Sequence, residues 1–136
     1  MSVEELSPRE VEHVIKKNKI VLVEYTTKTK REARYFHSLV KDFSFKVLNK
    51  IRVVSVNVDN YPEVKSKENI LVLPCLKLFF NGESIWEQEG CFLKLFFNGE
   101  SIWEQEGCFM DYAKDMLILR RSIREALKDK GLRIRI

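Results

Sequence analysis

Residues 76–92 read LKLFFNGESIWEQEGCF, and residues 93–109 read the same seventeen letters again, with no gap between them. No other feature of the chain constrains its fold so tightly. Each copy holds an apolar run, an Asn-Gly pair and a second alternating run, which is the pattern of a complete β-hairpin. Natural repeat arrays drift, because only packing positions are constrained. A perfect copy therefore points to a very recent duplication or an engineered one. A natural two-unit solenoid fits poorly, since about three or more repeats are needed to bury a continuous core.

A fold with one place for such a hairpin cannot seat both copies in one monomer. Exposing the apolar side chains of the second copy costs about 25 cal/mol per Å². Three arrangements compete: the extra hairpin extends the sheet at its edge, loops out, or inserts into a second molecule to give a homodimer by hairpin swapping. A loose LKLFF segment invites aggregation, so an ordered or partner-buried hairpin is expected. Two identical occupants of one slot also open a conformational switch.

The rest of the chain reads as alternating helices and strands. Ser7-Pro8-Arg9-Glu10 is a capping box with proline at the first helical position, and the helix stops near Asn18. Residues 20–26 (IVLVEYT) are β-branched and nearly all apolar, as in a strand buried on both faces. A long helix follows the polar loop 27–31, with Phe36, Val40, Phe43 and Val47 at steps of four, three and four. Residues 51–58 form a second strand, Tyr61-Pro62 opens a short helical turn, and Asn81-Gly82 closes the hairpin of the first copy. Asp111 caps a last helix that Gly131 ends. The tail LRIRI has no evident place. Two strands joined through a long helix imply a parallel pair with a right-handed crossover.

With 136 residues, 45% of them apolar, the chain is the size of one domain, spanning 1–136, with 76–92 and 93–109 as tandem copies within it. The formal charge of +4 is mild and does not by itself argue for nucleic acid. The acidic beginning lacks an apolar signal segment, and the longest apolar stretch is too short to cross a bilayer. The expectation is a cytoplasmic protein without a membrane partner. Three cysteines, an odd number, make no disulfide framework.

The segments Val21 to Tyr25, Val58-Asp59, Pro62, Leu73-Pro74-Cys75, Leu78 to Glu83 and Gly90, at their spacings, resemble the thioredoxin-like family. A shorter likeness, through Pro74-Cys75 and Phe79-Phe80, is to the redox-inactive thioredoxin-like proteins of the spliceosome. The resemblance implies an α/β fold, a three-layer α/β/α arrangement with a mixed central sheet, to which the duplicated hairpin is an addition. It also implies that Pro74 is the family's cis proline. It further places Lys30 and Ala33 where the family carries its two redox cysteines, and Glu24 where the family carries a buried acid. Dithiol exchange needs sulfur at both helix-start positions, and Lys30-Arg31-Glu32-Ala33 has none. The expectation is therefore a redox-inactive binding or structural module, not an enzyme, with an unidentified protein partner and no cofactor.

Two alternatives stay open. One is single-thiol activity centred on Cys75, if Lys30 or Arg31 lowers its pKa; against it stands Cys75 as a small buried residue of a central strand. The other is binding of nucleic acid or an acidic protein through the basic loop Lys28, Lys30, Arg31 and Arg34, where cations at a helix start work against the dipole. A buried Glu24 must be paired or protonated, and Lys28, Lys30 or Arg34 is the expected partner. His13 and His37 read as isolated surface residues, Cys91 and Cys108 as packing residues, and no spacing points to a metal.

Overall fold

The computed structural model describes residues 3–89, 93–97, 100–105 and 112–136. Helix α1 (Pro8–Lys17) begins where the capping box puts it. The Ser7 hydroxyl accepts from the Glu10 amide at 3.3 Å, and the Glu10 carboxylate accepts from the Ser7 amide at 3.0 Å. Asn18 is its C-cap. Strand β2 (Ile20–Thr26) follows, then α2 (Arg31–Lys46), β3 (Arg52–Asn57), a 3₁₀ turn (Val58–Asn60) and α3 (Val64–Lys67). Strands β4 (Cys75–Phe80) and β5 (Glu83–Glu89) form the first hairpin, and α4 (Tyr112–Asp129) comes last before the tail. Strand β1 (Glu4–Glu5) is a two-residue piece with no legible strand pattern in the sequence. It pairs parallel with β3, helped by the Leu6 amide donating to the Ser55 carbonyl at 2.8 Å.

The five-stranded sheet has the order β1-β3-β2-β4-β5. Strand β2 is central, parallel to β3 and antiparallel to β4. It is buried throughout residues 20–25, which is why its sequence is a nearly unbroken apolar run. Period-two alternation sends Leu22 to one face, with Phe36, Val40, Phe43 and Val47 of the α2 end and Ile123 and Leu127 of α4. Val21 and Val23 point to the other, with Val11 of α1 and Val64 of α3. The result is three layers, helices on both sides of a mixed sheet. Leu132, Ile134 and Ile136 of the tail pack on the α2–α4 side.

Asn81 and Gly82 both have positive φ (51° and 85°), as the tight hairpin turn demands. The Asn81 amide donates to the Lys19 carbonyl at 2.8 Å, pinning the turn to the start of β2. Strands β6 (Leu93–Phe97) and β7 (Glu100–Gln105) pair with each other in a separate two-stranded sheet. Among the described residues they do not extend the edge of the main sheet, which is one of the arrangements expected above. Their register repeats that of the first hairpin: Leu95 opposes Trp103 as Leu78 opposes Trp86, and both pairs of strands shift register at the following Phe. The expected cap at Asp111 and the packing of Cys91 and Cys108 lie outside the described residues. No described helix is long and apolar enough to cross a membrane.

Candidate functional site at the C-terminal end of β2

Strand β2 runs out at Thr26, and Tyr25 is paired with Cys75, the first residue of β4. Antiparallel pairing therefore brings the residues before Cys75 to the same end of the sheet as the loop after Thr26. The Leu73–Pro74 peptide bond is cis. Leu73 is buried, whereas Leu71 and Val72 just before it are 82% and 45% exposed. The Leu71 amide donates to Glu89 Oε1 at 3.4 Å, tying this segment to the end of β5. Lys77 ties β4 to the end of α3, just before this segment. This lysine is only 7% exposed and donates from Nζ to the Glu68 carbonyl at 2.5 Å, with Glu68 Oε2 at 3.9 Å.

The facing loop is built by hydrogen bonds around Asp59. The Thr27 hydroxyl donates to Asp59 Oδ1 at 2.7 Å, and the Lys28 amide donates to Oδ2 at 3.1 Å. The Thr29 amide donates back to the Thr27 oxygen at 3.2 Å. These bonds hold the Asp59 carboxyl below the usual carboxylate range, the Thr27 hydroxyl contributing most. Asp59 is itself oriented through its amide, which donates to the Asn57 side chain at 3.0 Å.

Lys30 is the N-cap of α2 and makes no side-chain capping bond. Ala33 faces the core, wholly buried. Lys28, Lys30 and Arg31 are exposed together, so the loop presents cations where a helix start prefers anions. Arg34 differs: its Nη1 donates to the Lys28 carbonyl at 3.2 Å and braces the loop from within.

Glu24 is fully buried, but its partner is not one of the expected cations. His37 Nδ1 lies 2.7 Å from Glu24 Oε1, and the bond to Glu24 raises the His37 pKa against the opposing effect of burial. His37 is thus not an isolated surface residue. Its signal was helical spacing, since it lies four residues after buried Ala33 and three before buried Val40. Glu24 Oε2 is buried with no hydrogen-bond partner. Cys75 is wholly buried, and burial pushes its thiol up to about 12. Neither Lys30 nor Arg31 counters that burial, so the geometry does not activate this sulfur. Among the described residues no cluster of His, Cys, Asp and Glu is placed to hold a metal ion.

The thioredoxin family model matches residues 2–98. The chain is 32% identical over 72 residues to the thioredoxin of Rickettsia bellii (strain RML369-C), which covers 53% of this chain and 69% of that protein. It is 30% identical over 83 residues to thioredoxin 1 of Plasmodium falciparum (isolate 3D7), covering 58% and 75%. The solution structure of oxidised thioredoxin from Plasmodium falciparum superposes with a TM-score of 0.59 at 29% identity, covering 65% of this chain and 86% of the other. A mitochondrial thioredoxin 3 from Saccharomyces cerevisiae, at 17% identity and a TM-score of 0.59, shows the shared fold. These findings correct the expectation that the protein is not an enzyme. The relatives are named thioredoxins, a family of disulfide oxidoreductases, and that points to an enzymatic activity. By the extent of these matches and by its fold, the chain belongs to the thioredoxin family.

Proposed function

We propose that this thioredoxin-like protein works on polypeptide partners, which it docks in extended form across the Leu71–Pro74 segment and the Lys28–Arg31 loop. The exposure of Leu71 and Val72 directly before the cis bond carries this reading. Two apolar side chains stand in solvent on a backbone segment tied by Glu89 at Leu71 and followed by the buried Leu73 and Cys75. A fixed segment loses little freedom on binding. The neighbouring Lys28, Lys30 and Arg31 favour a partner with acidic side chains beside its apolar ones and raise its association rate. The nucleic-acid reading has only these three loop cations behind it.

A fluorescent extended peptide that alternates apolar and acidic residues tests the docking. The double variant L71D/V72D is expected to bind it at least tenfold more weakly, with the far-UV spectrum unchanged. Equal binding by the parent and the double variant would dismiss the surface. The family's chemistry is read separately, by reduction of insulin with dithiothreitol. Serine variants of Cys75, Cys91 and Cys108, made one at a time, show which sulfur carries any turnover, because the start of α2 offers none.

A further inference from the structure

The hairpins β4–β5 and β6–β7 have the same residues and the same register, including the shift after Leu78 and after Leu95. The first completes the five-stranded sheet, and the second forms a sheet of its own. We propose that β6–β7 is a second occupant of the place that β4–β5 fills, so that one chain exchanges between two frames offset by seventeen residues. In the alternate frame Leu93, Leu95 and Phe97 take the register positions opposite Glu24, Leu22 and Ile20 that Leu76, Leu78 and Phe80 now hold.

Within the repeat the two frames make the same pairings, so their balance is set at its borders. In the observed frame Leu73-Pro74-Cys75 leads into the strand, with Leu73 and Cys75 buried. In the alternate frame the sequence Gly90-Cys91-Phe92 leads in. Glycine replaces a buried leucine and phenylalanine replaces a buried cysteine, a mismatch of volume at both positions. This makes the observed frame the dominant one. At the other border the chain from β7 to α4 needs only residues 106–111, an ordinary connection length. The alternate frame is therefore connected without strain on α4, which packs over the hairpin.

Exchange also regulates docking, a consequence that rests on the function proposed above, while the exchange itself does not. The alternate frame withdraws Pro74 and Leu71 from the Lys28–Arg31 loop. A ligand that needs both then binds only the observed frame and shifts the population toward it.

The test uses the full chain with aspartate placed at one copy, at the other, and at both: L78D, L95D and L78D/L95D. Folding is followed by circular dichroism in urea, mass by light scattering, and exposure of Cys75 by N-ethylmaleimide labelling with peptide mapping. The L78D variant is expected to remain a folded monomer, with the Cys75 peptide labelled at least tenfold faster than in the parent. The L95D variant should keep Cys75 protected, and the double variant should unfold. The proposal is overturned if L78D is as unfolded as the double variant, if it folds with Cys75 still protected, or if it folds only as a dimer. Failure of the docking surface would appear instead as equal peptide binding by the parent and L71D/V72D, and would leave these folding results untouched.

Discussion

Seventeen residues occur twice in this chain and reach two different ends. As β4–β5 they are an inner strand and an edge strand of the main sheet; as β6–β7 they pair, among the described residues, only with each other. The internal register is the same in both places. Strand alternation and the Asn-Gly turn therefore decide the geometry within the hairpin. Membership of the sheet is decided by what stands outside the repeat: the lead-in Leu73-Pro74-Cys75, with Cys75 paired to Tyr25.

The largest effect that separates the two copies should come from the strand they share. Leu22 is wholly buried and lies opposite Leu78, and it would face whichever hairpin filled the place beside β2. No second copy can replace it. Leu22→Ala is expected to destabilise the protein by about 2–5 kcal/mol, as a buried large-to-small change. Leu95→Ala should stay within about 0.5 kcal/mol. Urea unfolding at constant m-value compares the two. Similar losses in both variants would mean that the second hairpin belongs to the same cooperative core.

Deleting residues 93–109 attacks the same comparison from the other side. It shortens the connection between β5 and α4 roughly fourfold, about two doublings, and should raise stability by about 1 kcal/mol through loop closure. A deletion variant less stable than the parent would show that β6–β7 supports the main sheet. Smaller still is Lys19, whose ammonium lies 5.7 Å from the centre of the Phe80 ring. Lys19 stands outside both copies, and Phe97 would meet it in the alternate frame as Phe80 does now, so this contact supports either hairpin beside β2 alike. Lys19→Met is expected to lower stability by about 0.5 kcal/mol, as an exposed cation–π pair, and to leave the balance between the frames, read by labelling of Cys75, unchanged. Markedly faster labelling would place Lys19 among the contacts that set the frame.

Much of this architecture is legible in the amino-acid sequence. The capping box at Ser7, the apolar run of β2 and the four-three-four spacing of α2 each reflect one local rule, and each local rule agrees with the fold. The Asn81-Gly82 turn was legible for the same reason. Strand β1 was not, because two residues carry no periodicity, and its place comes from parallel pairing with β3 together with the backbone bond from Leu6. The tail was hidden because its Leu and Ile residues pack without forming a regular element. At the candidate site, the sequence resemblance pointed to Pro74, Lys30 and Ala33 but not to Lys77 or His37. Both bond between consecutive elements, α3 to β4 and β2 to α2, where only the fold sets the pairing and charge counting near Glu24 offered closer but wrong partners.

The Glu24–His37 pair is the feature of the main sheet with the smallest expected effect, and it is independent of the hairpins. Its bond to Glu24 raises the His37 pKa above its unfolded value. The stability it contributes is then fully present below the unfolded value, about 6.5, and is lost as pH rises through the folded one. His37→Gln keeps a hydrogen-bond donor for Glu24 and removes the charge. The stability lost by this substitution should therefore be larger at roughly pH 5.5 than at roughly pH 8.5. The imidazole is 41% exposed, so screening keeps the difference small. A loss independent of pH would mean that His37 is held by packing and a neutral bond alone. Glu24 Oε2 has no hydrogen-bond partner, so among the described residues the histidine is the one group bonded to this buried carboxylate.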